Sequence, residues 1–100
     1  MKGKLKVRTS EEQMRAYYTA LKYIYTTYGM EQQKQQLIQE LSELIVEITK
    51  NDLENIIEEM ADVQVMLDQF TVANPIWDRK IEQIKIQKAK RQLERIKNGR

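Results

Sequence analysis

The 100-residue sequence contains no cysteine and no histidine. Disulfides, thiolate metal sites and cysteine nucleophiles are therefore excluded, together with imidazole general bases and most zinc chemistry. Any metal must be held by carboxylate oxygens, which suit hard cations such as Mg²⁺ or Mn²⁺. One proline and three glycines leave few chain breakers, and the abundant Glu, Gln, Lys, Leu, Ile and Met favour helix over sheet throughout. No apolar run approaches the ~20 residues needed to cross a bilayer, and the N-terminal Lys and Arg are not followed by the apolar core of a signal peptide. No membrane association and a cytoplasmic location are expected.

What is present fits one compact domain spanning residues 1–100. At 41% hydrophobic and 32% charged the chain is more polar than an ordinary globular monomer, as expected of long amphipathic helices without a thick core. An all-α, four-helix-bundle type of core completed across subunits, in a homodimer or homotetramer, is the predicted architecture. The net charge of +2 hides a segregation: Glu31 to Asp62 holds nine acidic residues against two basic, and Arg79 to Arg100 nine basic against two acidic. An acidic region that could take a cation is thus followed by one that attracts anions.

Residues 1–9 read as a flexible arm. Thr9 or Ser10 opens a helix, with Ser10 and Gln13 forming a capping box, and Tyr17, Leu21, Ile24 and Tyr28 recur at helical spacing until Gly29. A second helix from about Glu31 to Thr49 carries Leu37, Leu41, Leu44 and Ile48 as a stripe to be buried. Lys50-Asn51-Asp52 has turn chemistry, and a third helix from Leu53 to Val72 carries Ile56, Met60, Val63, Leu67 and Phe70. Asn74-Pro75 breaks the chain before a basic helix over residues 76–97. The second and third helices, residues 31–72, should form a hairpin.

The chemistry sits on that hairpin. Glu40 and Glu43 are three residues apart and project from one side, beside the leucine stripe. Glu59 and Asp62 repeat the spacing at the same position relative to their own stripe. If the stripes pack antiparallel, the four carboxylates converge on one flank, and like charges that close require a cation. Glu47, one turn beyond Glu43, and Glu58, beside Glu59, are candidates for outer ligands or for the base that activates water. A single acidic pair is usually a solvated face; two matching pairs argue for a metal site.

In these residues the chain resembles the MazG-type all-α nucleoside triphosphate pyrophosphohydrolases. Their Glu-x-x-Glu pair, spacer and Glu-x-x-Asp pair read here as Glu40-Leu-Ser-Glu43 and Glu59-Met-Ala-Asp62, with fifteen residues between. The likeness covers Gly29 to Phe70 and is nearest the short, single-domain forms common in phages and prophages. It implies Mg²⁺-dependent cleavage of a nucleoside triphosphate between the α and β phosphates, with Glu40, Glu43, Glu59 and Asp62 as metal ligands. Such a reaction needs charge neutralisation and a positioned water more than a protein nucleophile. Lys88, Arg91 and Arg95 share a face of the last helix, resemble a Lys-x-x-Arg-x-x-x-Arg pattern of short members, and are the phosphate candidates. Gln36, one turn before Glu40, is the nucleotide-contact candidate; Gln32 and Gln33 at the same mouth read as exposed polar residues. The acidic signature names no base.

Two other functions compete. In a non-enzymatic helical interaction module the acidic hairpin and the basic tail would pair with each other or with a partner's helices, and Gln would be tolerated in place of the paired acids. A nucleic-acid binder would use the basic last helix, and the acidic hairpin opposes it.

Overall fold

The computed structural model of the protein describes residues 9–99. They form four helices, α1 (Ser10–Tyr28), α2 (Met30–Lys50), α3 (Leu53–Ala73) and α4 (Pro75–Lys97), and no strand among the described residues. The fold is all-α, as the composition predicts. Of the predicted N-terminal arm, all but Thr9 lies outside the described residues.

Each boundary has a local cause. Thr9 accepts from the Glu12 N–H at 3.0 Å, and the Glu12 carboxylate accepts from the Thr9 N–H at 3.0 Å. The capping box is thus Thr9–Glu12 and not the predicted Ser10–Gln13. Ser10 is already helical, and a carboxylate is a stronger acceptor for an amide than the neutral Gln13 side chain. Gly29 (φ 87°, ψ 158°) separates α1 from α2 in a conformation that side chains with a Cβ rarely adopt. Asn51 ends α2 in the left-handed region (φ 59°), and Asp52 caps α3 by accepting from the Asn55 N–H at 3.2 Å. The Asn74 side chain donates to the Phe70 carbonyl at 2.8 Å, closing α3, and Pro75 takes the first position of α4.

The two-residue link at Asn51-Asp52 folds α2 and α3 into an antiparallel hairpin. One end of it is pinned by Gln33 and Gln69, both buried, with Gln33 Nε2 donating to Gln69 Oε1 at 2.8 Å. Gln33 is therefore a core residue and not the exposed polar residue expected at that position. Its amide is retained inside because another amide satisfies it. Around this end lie the buried Leu21, Val63, Met66 and Phe70, with Tyr25 edge-on to Phe70 at 5.4 Å. From α1, the Tyr17 hydroxyl donates to Asp68 Oδ2 at 2.8 Å.

The predicted apolar stripes are only half covered. Leu37 and Leu44 are partly buried, but Leu41 and Ile48 are exposed; on α3, Val63 and Phe70 are buried while Met60 and Leu67 are each 47% exposed. A helix with one neighbour buries one side, and a stripe this wide extends past it. The uncovered parts join other exposed residues into two apolar rows. On α2 the row is Ile38, Leu41, Ile45 and Ile48; on α3 it is Leu53, Ile57, Met60 and Leu67. Helix α4 packs only against α3 among the described helices and contributes no buried residue. The chain is correspondingly extended, with a radius of gyration of 17.5 Å against about 13 Å for a compact domain of this length.

Candidate metal centre

The hairpin brings together side chains from two helices. Oxygens of Glu40, Glu43 and Glu59 lie within 4.8 Å of one another. Glu43 and Glu59 stand ten residues from Gln33 and Gln69 respectively, so the buried amide pair and the acids share one uniform antiparallel register. Glu40 and Glu59 are partly buried and Glu43 is exposed, which places the cluster at the edge of the interhelical seam.

Three carboxylate oxygens here are buried without a hydrogen-bond partner: Glu40 Oε1, Glu47 Oε1 and Glu59 Oε1. An unsatisfied buried carboxylate oxygen costs free energy unless a cation or a hydrogen-bond donor meets it. Burial, followed by repulsion from Glu43, Asp62, Glu40 and Glu47, raises the Glu59 carboxyl above the usual carboxylate range. All-oxygen donors, several of them unpaired, fit a hard divalent cation.

The remaining acids are placed unequally. Asp62 is exposed and lies one turn along α3 from Glu59, close enough to contribute to its field but outside the group of three. Glu47 is partly buried with one oxygen unpaired; its Oε2 lies 3.9 Å from the Lys50 ammonium. A shallow hollow beside it is lined by Gln39, Ser42, Glu43, Val46, Glu47 and Glu59. Glu58 is exposed, and at about 100° per residue it points away from Glu59.

Two glutamines orient the acids. Gln36 Nε2 donates to Glu40 Oε2 at 2.8 Å, and Gln39 Nε2 donates to Glu43 Oε2 at 3.3 Å. Gln36, expected at the nucleotide, thus holds Glu40 Oε2 and leaves Oε1 free. Gln39 carries the same i, i+4 spacing, a signal present in the sequence beside the Gln36–Glu40 pair.

Lys88, Arg91 and Arg95 are exposed on the second half of α4, a helix that does not touch α2. None of them forms an ion pair with a described residue. The structure therefore brings the carboxylates together and leaves the basic triad apart from them.

No described helix is long and apolar enough to cross a membrane. No curated protein and no solved structure matches the chain. The MazG nucleotide pyrophosphohydrolase domain matches residues 29–94, which include the whole α2–α3 hairpin and most of α4. With that match across two thirds of its length, and an acidic two-helix site inside it, the chain belongs to the MazG nucleotide pyrophosphohydrolase family.

Proposed function

We propose that this protein hydrolyses a nucleoside or deoxynucleoside triphosphate between the α and β phosphates, releasing a monophosphate and pyrophosphate, with Mg²⁺ or Mn²⁺ as cofactor. The observation that carries the reading is the trio of unpaired buried oxygens on Glu40, Glu47 and Glu59 at the hairpin seam. Glu40, Glu43 and Glu59, with Asp62 one turn on, are the residues that would hold the cation. When bound, such an ion neutralises phosphate charge and makes the phosphorus easier to attack.

The chain's own groups supply the rest. Gln36 fixes the Glu40 carboxylate, and Gln39 does the same for Glu43. Glu47 is the better placed of the two base candidates, because its unpaired oxygen borders the hollow lined by Glu43 and Glu59. There it can accept a proton from the attacking water, whereas Glu58 faces solvent. Lys88, Arg91 and Arg95 are the groups that would take the departing pyrophosphate. A homodimer or homotetramer is the working assembly, since the apolar rows on α2 and α3 have no cover within one chain.

The test is a panel of nucleotides with Mg²⁺, scoring pyrophosphate against orthophosphate. Pyrophosphate release is expected, and Glu59→Gln or Asp62→Asn should reduce it at least a hundredfold with helicity unchanged, by analogy with the loss of one preorganised charged group. Activity surviving both substitutions, or orthophosphate as the only product, would overturn the assignment.

A further inference from the structure

Two of the six buried side chains among the described residues are amides, Gln33 at 4% and Gln69 at 3% exposure. In a core this small, hydrocarbon at both positions would carry no desolvation cost. The amides instead form a directional chain. Gln33 Nε2 donates to Gln69 Oε1 at 2.8 Å, and Gln69 Nε2 donates to Met66 Sδ at 3.5 Å. The first of these is the one side-chain hydrogen bond that crosses from α2 to α3 among the described residues.

The pair lies on the same helix faces as the metal centre. On α2, Gln33, Gln36, Glu40, Glu43 and Glu47 follow one another at steps of three, four, three and four; on α3, Glu59, Asp62, Met66 and Gln69 do so at steps of three, four and three. Gln33 stands opposite Gln69, and ten residues along each helix, about 15 Å away, Glu43 stands opposite Glu59. At the other end the Asn51-Asp52 link fixes the hairpin. The acids are held between these two points, and by themselves they repel.

Hydrocarbon does not select this register. The apolar residues of α2 and of α3 each recur every three or four positions, so a slip of one turn returns apolar to apolar. The amides do select it. A slip of three residues sets Gln33 opposite Val72 in one direction and opposite Met66 in the other, and either leaves a buried amide without its partner. The same slip carries Glu43 about 4.5 Å along the helix from its place beside Glu59, more than the oxygen shell of a hard cation tolerates.

We propose that Gln33 and Gln69 are positioning residues: their amide pair fixes the α2–α3 register that sets Glu40 and Glu43 against Glu59, and so sets the affinity of these carboxylates for a divalent cation. This rests on the reading of the acids as the cation site. It makes choice of register, and not stability, the reason the amides lie inside.

The test replaces both amides with an unbranched apolar side chain of similar size, Gln33→Met/Gln69→Met, and titrates Mn²⁺ into wild type and variant, following the free ion by electron paramagnetic resonance. The urea midpoint should stay at or above that of the wild type, because both polar partners are removed together. The Mn²⁺ dissociation constant should rise about tenfold. In the ion-free variant the backbone amide resonances of α2 and α3 should split or broaden as further registers become populated. A dissociation constant within about twofold of wild type, or a spectrum as uniform as that of the wild type, overturns the proposal. Weaker binding matched by a fallen urea midpoint also overturns it, since that is general loosening. Gln33→Leu/Gln69→Leu repeats the measurements if the methionine pair does not fold. A wild type that takes up no Mn²⁺ would instead refute the cation site itself.

Discussion

At the scale of the residue, Glu59 links the fold to the ion it is proposed to hold. Its carboxyl is raised by burial and by four neighbouring carboxylates, so the folded chain holds that proton more tightly than the unfolded chain does. Stability from this group is complete below the unfolded carboxylate range and is lost as pH rises through the raised folded value. The metal-free protein should therefore unfold at a lower temperature at pH 8 than at pH 5, and Glu59→Gln should flatten that difference. Mg²⁺ at a hundred times its dissociation constant should stabilise the wild type at pH 8 by about 2.7 kcal/mol. It should do little for the variant. Calorimetric scans of both proteins with and without the ion decide it; a wild type whose transition ignores both pH and Mg²⁺ would separate the cluster from cation binding.

At the scale of the element, the helices were readable because their ends carry strong local chemistry. Gly29, Asn51-Asp52 and Asn74-Pro75 each impose a backbone conformation or a cap that neighbouring residues cannot override. The meeting of Glu40, Glu43 and Glu59 was legible for a similar reason, since a three-residue spacing fixes a face of a helix, whereas Asp62 stays outside that group. What could not be read was tertiary. Gln33 looks like any polar helix residue until the hairpin register sets it opposite Gln69, and Leu41 looks like core until α1 and α4 are seen to leave it bare. Which acid is buried depends on the same register, so Glu47 and Glu58 were equal candidates in the sequence and are unequal in the structure. The connection between α2 and α3 offers a direct check. Asn51 holds φ at 59°, where a Cβ crowds the following carbonyl at a cost of roughly 1–2 kcal/mol for most residues, which Asn lessens by bonding locally and Gly avoids. Asn51→Ala should lower the unfolding free energy by about 1 kcal/mol and Asn51→Gly should not, as read from urea midpoints at unchanged slope. Equal midpoints for the two would mean that this turn does not constrain the hairpin.

At the scale of the molecule, one chain leaves more apolar surface outside than its small core contains. Four apolar side chains are buried among the described residues, while Ile45 and Ile57 alone are 62% and 68% exposed on rows that continue along α2 and α3. Rows of this kind on an extended 12.0 kDa chain are the faces an isologous pair would cover. Folding should then be coupled to association, so that tenfold dilution weakens the native state by about 1.4 kcal/mol. For a dimer of this size the midpoint should fall by roughly 3–5 °C per decade of concentration. Ile57→Lys is the sharper probe. On a monomer, a lysine at an already exposed position changes stability by no more than about 0.5 kcal/mol. In the assembly it buries an unpaired charge between hydrocarbon faces and should split the complex. The mass in solution should then drop to that of a single chain, with pyrophosphate release lost even though every carboxylate of the metal centre is intact. An Ile57→Lys protein that keeps both its wild-type mass and its activity would show that the rows are ordinary surface and that the hairpin works alone.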